Sequence, residues 1–172
     1  MKTEYLLNRE VEHVLAALMP LNRLVLRVSL HTGLRISDVL SLKTSQLSSR
    51  FWVTESKTGK RKLVGLPREL LDDLRRAAGK VYVFEKRGDP TKHRTRQAVW
   101  ADLKRAARAF RLPQNVAPHS FRKVYAVDLL EKYGDIKKVK KALNHKYEST
   151  TLIYAMADAS LRAKFKKRRK GC

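Results

Sequence analysis

The 172 residues include one cysteine, seven glycines, five prolines and only sixteen Asp and Glu together. The lone Cys172 excludes an internal disulfide framework and a multi-cysteine zinc site. No apolar run is long enough to span a bilayer, and Met1-Lys2-Thr3-Glu4 lacks the apolar stretch of a secretory signal. No block repeats at a solenoid spacing. No carboxylates cluster at metal-ligand spacing, and the acidic pair Asp72-Asp73 reads as the solvated face of an ordinary helix. Against the sixteen acids stand 39 Lys and Arg, for a net charge of +23 at pH 7. A field of that sign and size suits a polyanion, most simply nucleic acid. With 43% hydrophobic residues the chain can bury the core of one domain and is too short for two ordinary ones.

Local signals are mostly helical. Asn8 is placed to cap a helix through 18, with Val11, Val14, Leu15 and Leu18 on one face, and Pro20 is expected to end it. Residues 21–30 read as a buried helix that Thr32-Gly33 breaks, and 36–42 as a short helix. The stretches 51–54 and 62–66 are strand-like and joined by a polar segment with Thr58-Gly59, a hairpin signal. Pro67 starts a helix over 68–78, and 81–84 suggests another short strand. Thr95 is placed to cap a helix over 96–110. Helices are expected over 119–133, over 135–143 with Asp135 as cap, over 149–156, and over 158–169 with Asp158 as cap. The fold class expected is mainly α (α+β), helical with a small antiparallel hairpin.

Four separated pieces set a cationic or hydrogen-bonding side chain beside a break in regular structure. In Thr32-Gly33-Leu34-Arg35-Ile36-Ser37-Asp38, glycine permits the turn and Arg35 stands at a helix start. Ser56-Lys57-Thr58-Gly59 puts an ammonium at a hairpin tip. In His119-Ser120-Phe121-Arg122, the i, i+3 spacing brings His and Arg to one helix face, within reach of one phosphate. Leu143-Asn144-His145 is followed nine positions later by Tyr154. Taken singly, each has a plainer reading: a surface arginine, a solvated turn lysine, a structural histidine, a core tyrosine. Their joint order carries the weight.

That order resembles the tyrosine recombinase (phage-integrase-like) family over roughly residues 5–160. The family pattern is T-G-x-R-x-S-[E/D], a hairpin Lys, H-x-x-R, a G-H-like dipeptide, and a Tyr about nine residues on. Arg35, Lys57, His119, Arg122, His145 and Tyr154 all match. Asp38 stands where many members have Glu, and Asn144 where many have Gly. The resemblance implies the family's catalytic-domain fold over 1–160, a basic tail over 161–172, and absence of the family's N-terminal core-binding domain, in a minimal protein or a fragment.

Transfer of a phosphodiester to a tyrosine needs a nucleophile, a base, an acid for the leaving oxygen and cations for the developing charge. The resemblance makes Tyr154 the nucleophile, with a phenol of reference pKa ~10 that needs a base. Arg35 and Arg122 would fork onto the non-bridging oxygens. His119 would take the tyrosine proton, His145 hydrogen-bond the phosphoryl oxygen, and Lys57 protonate the leaving 5′ oxygen. Asp38 would orient a neighbouring His or Arg. Paired arginines make a metal or other cofactor unnecessary. The implied activity is site-specific DNA recombination through a 3′-phosphotyrosine, without ATP. The partners are double-stranded DNA and further copies of the chain, a tetramer on DNA, with no membrane. The setting is the cytoplasm of a bacterial, phage or archaeal host cell. Lys92, Arg94, Arg96, Gln97, Lys104, Arg105, Lys137 and Lys138 are candidate DNA contacts, with Arg96 or Gln97 able to reach a major groove. Other readings stay open: a relaxase- or topoisomerase-like enzyme of the same active-site class, an idle integrase-derived DNA-binding regulator, or a basic RNA-binding protein.

Overall fold

The computed structural model describes residues 6–143. His145, Tyr154, the helices expected over 149–156 and 158–169, and the basic tail lie outside the described residues.

Helix α1 is Asn8–Ala17. Its N-cap is Leu7, so Asn8 stands one residue inside rather than capping. The Glu10 carboxylate instead accepts the Leu7 N–H at 2.7 Å. Pro20 does not merely end α1. It occupies the first turn of α2, Pro20–Thr32, where its missing N–H would have no partner anyway. Helix α2 stops at Gly33, whose φ of 63° is left-handed, and Arg35 then caps the short α3, Ile36–Leu40.

Strands β1 (Arg50–Thr54) and β2 (Arg61–Gly65) form the expected antiparallel hairpin, with Trp52 opposite Leu63 and Val53 opposite Lys62. Val53 and Val64 face the core, while Trp52 and Leu63 are half exposed on the outer face. Helix α4 is Arg68–Ala77. The stretch 81–84 makes one isolated bridge, Lys43 to Tyr82, rather than a strand. A second small hairpin follows, with β3 (Glu85–Lys86) and β4 (Asp89–His93) reversing at Gly88, where φ is 81°. Its charged sequence carries no alternating apolar signal. Helix α5 is Arg96–Ala109, and the Thr95 hydroxyl accepts from the Ala98 N–H as expected. Helices α6 (Pro118–Tyr133) and α7 (Ile136–Leu143) meet at left-handed Gly134, and the Asp135 carboxylate accepts from the Lys137 N–H.

Helix α2 is the centre of the packing. Its Val25, Leu26 and Val28 are fully buried with Val14 of α1, Leu70 and Leu74 of α4, Val99 and Leu103 of α5, and Phe121 of α6. Leu143 and Val139 of α7 join Ala126 of α6 in a second, smaller cluster. Asp73 is not part of a merely solvated face. It accepts from Arg27 of α2 at 2.6 Å and from Arg76, pinning α4 to α2. No helix among the described residues is long and apolar enough to cross a membrane.

Candidate active site

The turn between α2 and α3 is held at each of its residues. The Thr32 hydroxyl accepts from the Leu34 N–H, the Ser29 hydroxyl donates to the Leu34 carbonyl, and the Gly33 N–H donates to the Ser29 carbonyl. A side chain at Gly33 would strike the Tyr125 ring of α6, so glycine is required by both backbone angle and space. Arg35 leaves this turn with its guanidinium 2.7 Å from a carboxylate oxygen of Glu55.

Glu55 is the site residue that the sequence reading missed. It sits between β1 and the hairpin tip, fully buried, and accepts from Arg35 and from the Thr58 hydroxyl. Burial pushes its carboxyl pKa up. Hydrogen bonds from Arg35 and Thr58 and the charges of Arg35 and Arg122 outweigh that and hold it below the ordinary carboxylate value. One signal was available: Glu55 is the only acidic residue between Asp38 and Glu69, in a segment otherwise rich in cations.

Among the described residues, Asp38 holds Ser56 rather than a histidine or arginine. It is 1% exposed, and one carboxylate oxygen accepts from both the N–H and the hydroxyl of Ser56, at 2.9 and 2.6 Å. Its partner is thus the residue directly before Lys57. Asp38 lies in the first turn of α3, and its carboxylate meets the turn that leaves β1. Lys57 itself is exposed at the tip.

Helix α6 brings the other two described residues. Pro118 occupies its first turn, and the Ser120 hydroxyl accepts the Ala117 N–H. Arg122 is 2% exposed. It donates to the carbonyls of Gly33 and Leu143, the latter at 2.6 Å. Two of its five N–H groups therefore bind the arginine turn to the end of α7. His119 has its pKa pushed down to about 4, by lost hydration and then by the charges of Arg122, Lys123, Arg35 and Lys57. Its ring still reaches solvent, so the cations are the firmer cause. Arg35, Lys57, His119 and Arg122 therefore occupy one electrostatic neighbourhood, with His119 a neutral imidazole at pH 7. Among the described residues, no three His, Cys, Asp or Glu side chains gather as a metal site would require.

The candidate DNA contacts divide by their partners. Arg94 donates to Asn22, and Asn22 donates to Asp102 of α5, each at 2.7 Å. Arg105 forks onto Asp102 and also donates to the Ala17 carbonyl. Both arginines are thus committed to a joint between α1, α2 and α5. Burial raises the Asp102 pKa, but the bonds from Asn22, Arg105 and the Met19 N–H bring it below the ordinary value. Lys104 donates to Asn115 and lies 5.7 Å from the Trp100 ring, and Lys92 pairs with Asp89 at 3.1 Å. Arg96 and Gln97 are exposed at the start of α5, and Lys137 and Lys138 stand on α7, Lys138 over the Tyr133 ring.

Comparison with known proteins gives this arrangement its context. The model of the Phage integrase family matches residues 4–160. The chain is 30% identical over 149 residues to the tyrosine recombinase XerD of Lacticaseibacillus casei, covering 77% of this chain and 49% of that one. It is 30% identical over 147 residues to the tyrosine recombinase XerA of Pyrococcus furiosus, covering 80% and 51%. The chain thus spans about half the length of these curated relatives. Its fold is similar to a XerA recombinase crystal structure, with a TM-score of 0.76 at 22% identity over 96% of this chain and 64% of that one. It is also similar to a lambda integrase dimer bound to a COC' core site, with a TM-score of 0.75 at 22% identity over 90% and 48%. With the family match running over nearly its whole length and the arginine turn, lysine hairpin and H-x-x-R helix start joined by hydrogen bonds, the chain belongs to the phage integrase family of tyrosine recombinases.

Proposed function

We propose that this chain is a site-specific DNA recombinase that cleaves and rejoins double-stranded DNA through a 3′-phosphotyrosine, with no metal or ATP. The observation that supports it is that hydrogen bonds tie the elements carrying Arg35, Lys57 and Arg122 together, Arg35 to Glu55, Asp38 to Ser56 and Arg122 to the Gly33 carbonyl, while the charges of all three act on His119. In the forward step the phenol oxygen of Tyr154 forms a bond to the scissile phosphorus and gives its proton to His119. The bond from phosphorus to the 5′ oxygen breaks, and Lys57 supplies the proton that oxygen needs. A 5′-hydroxyl of the partner strand reverses each transfer: its oxygen bonds phosphorus as the bond from phosphorus to the Tyr154 oxygen breaks, its proton returns to Lys57, and His119 returns the proton to the departing Tyr154 oxygen. Arg35, held by Glu55, stabilises the phosphorane charge by direct contact, and Arg122 adds its field from beneath. His145 donates to a phosphoryl oxygen.

The wider reading follows from charge and family. Arg96 and Gln97 enter a major groove from the start of α5, with Lys92, Lys104, Lys137 and Lys138 on phosphates. Residues 1–160 act as the catalytic domain and 161–172 as a basic arm. Four protomers exchange strands between two duplexes in the cytoplasm of the host cell.

A library of nicked duplexes should trap a covalent protein–DNA adduct with the wild type and none with Tyr154→Phe. Equal adduct from both, or none from either, overturns the reading. The rate has a second signature. With His119 neutral above a pKa of about 4, the second-order cleavage rate should hold level from about pH 7 down to about pH 5. An acid limb centred near the unperturbed histidine value of ~6.5 would show that the cations around His119 do not act on it as described.

A further inference from the structure

The mechanism above leaves Lys62 without a role. It stands on β2 opposite buried Val53, at an inward register position where the hairpin would otherwise present an apolar side chain to the core. Its neighbours Arg61 and Leu63 point outward, and Val64, the next inward residue, is buried. The Lys62 ammonium donates to the Thr32 carbonyl and lies 5.4 Å from the centre of the Tyr125 ring. Arg122 donates to the very next carbonyl, that of Gly33. Two successive carbonyls of the turn before Arg35 are therefore held by cations from two different elements, one on the lysine hairpin and one on α6.

We infer that Lys62 is a positioning residue that latches the Lys57 hairpin to the Arg35 turn, so that the two cations meet the same phosphate in register. This rests on the recombinase reading for its chemistry, but the latch itself is a contact within the protein. A merely structural role explains it poorly. The groups facing Lys62 are Arg122 and Tyr125 of α6, Arg35, and Glu55. Burial and the charges of Arg122 and Arg35, opposed by Glu55, push its pKa down to about 8. The folded state thus binds this proton less readily than the unfolded chain does, so the charge weakens the fold at neutral pH. A methionine of similar length would pack there without that penalty.

Hydrogen exchange on the full chain tests the latch directly. In Lys62→Met, amides of residues 33–35 and 55–60 should exchange about tenfold faster, with α5 unaffected, and Lys62→Arg should restore wild-type protection. If Lys62→Met does not fold, Lys62→Gln carries the same measurement. Unchanged exchange in either segment overturns the inference. The second arm uses duplexes trapped by the wild type, made with an ordinary phosphodiester or with sulfur replacing the 5′ leaving oxygen. A thiolate leaves without help from an acid, so a hairpin lysine out of register matters little with it. Lys62→Met should lose about 10²-fold on the ordinary duplex and recover most of that on the sulfur one. No loss, or equal loss on both, overturns the inference. If the wild type traps no DNA at all, the recombinase reading fails, while exchange still decides the latch.

Discussion

Arg122→Ala should lower strand cleavage by about 10³-fold and reduce stability by roughly 3–5 kcal/mol. Two separate contributions add to this. The guanidinium is 2% exposed and ties the Gly33 and Leu143 carbonyls together across α2, α6 and α7. Its removal leaves both carbonyls without that donor and opens a cavity where a 2% exposed side chain stood. On the proposed mechanism, the catalytic contribution is the lost positive charge near the scissile phosphate. Arg122→Lys keeps a charge but lacks the planar fork that reaches two carbonyls in different directions, so it should recover part of the stability and only a fraction of the rate. Urea denaturation and single-turnover cleavage measure the two contributions separately. An alanine variant with the wild-type denaturation midpoint, or one that cleaves at the wild-type rate, would contradict this account.

Gly33→Ala should be the most damaging small substitution in the site, at about 2–5 kcal/mol. Part of that is backbone: φ is 63°, a left-handed angle that alanine resists. The rest is steric, because the new methyl group would run into the Tyr125 ring, which is packed between α2 and the Lys62 ammonium. The turn would have to shift, and Arg35 would move away from Glu55 with it. The melting temperature should fall by roughly 5–15 °C. Combining the change with Tyr125→Ala separates the parts. The double variant should show an interaction energy of about 1–3 kcal/mol, the relieved clash, while the backbone strain persists. Additive effects, or a wild-type melting temperature for Gly33→Ala, would mean that the turn has room the structure does not show.

Much of this site is legible along the chain. A Thr-Gly pair before Arg35, a proline before His119, a threonine before α5 and glycine at two helix ends each act within a few residues of themselves. The order of Arg35, Lys57, His119 and Arg122, with His145 and Tyr154 outside the described residues, suffices to indicate the family. The same short reach explains the errors at Asn8 and Pro20, where neighbouring residues competed for one helix start.

Partnerships across the fold are a different matter. Glu55 meets Arg35 across twenty positions and Arg122 meets Gly33 across eighty-nine. That Asp38 holds Ser56, that Arg94 and Arg105 brace α5, and that Lys62 turns inward depend on which surfaces the core brings together. Among the described residues, the sequence by itself determined the helices, the first hairpin and the residue types the chemistry needs, because caps, glycines and periodicity work through the local backbone. Only the tertiary structure decided which carboxylate serves which cation, because a hydrogen bond depends on distance in space, and packing around α2 sets that distance.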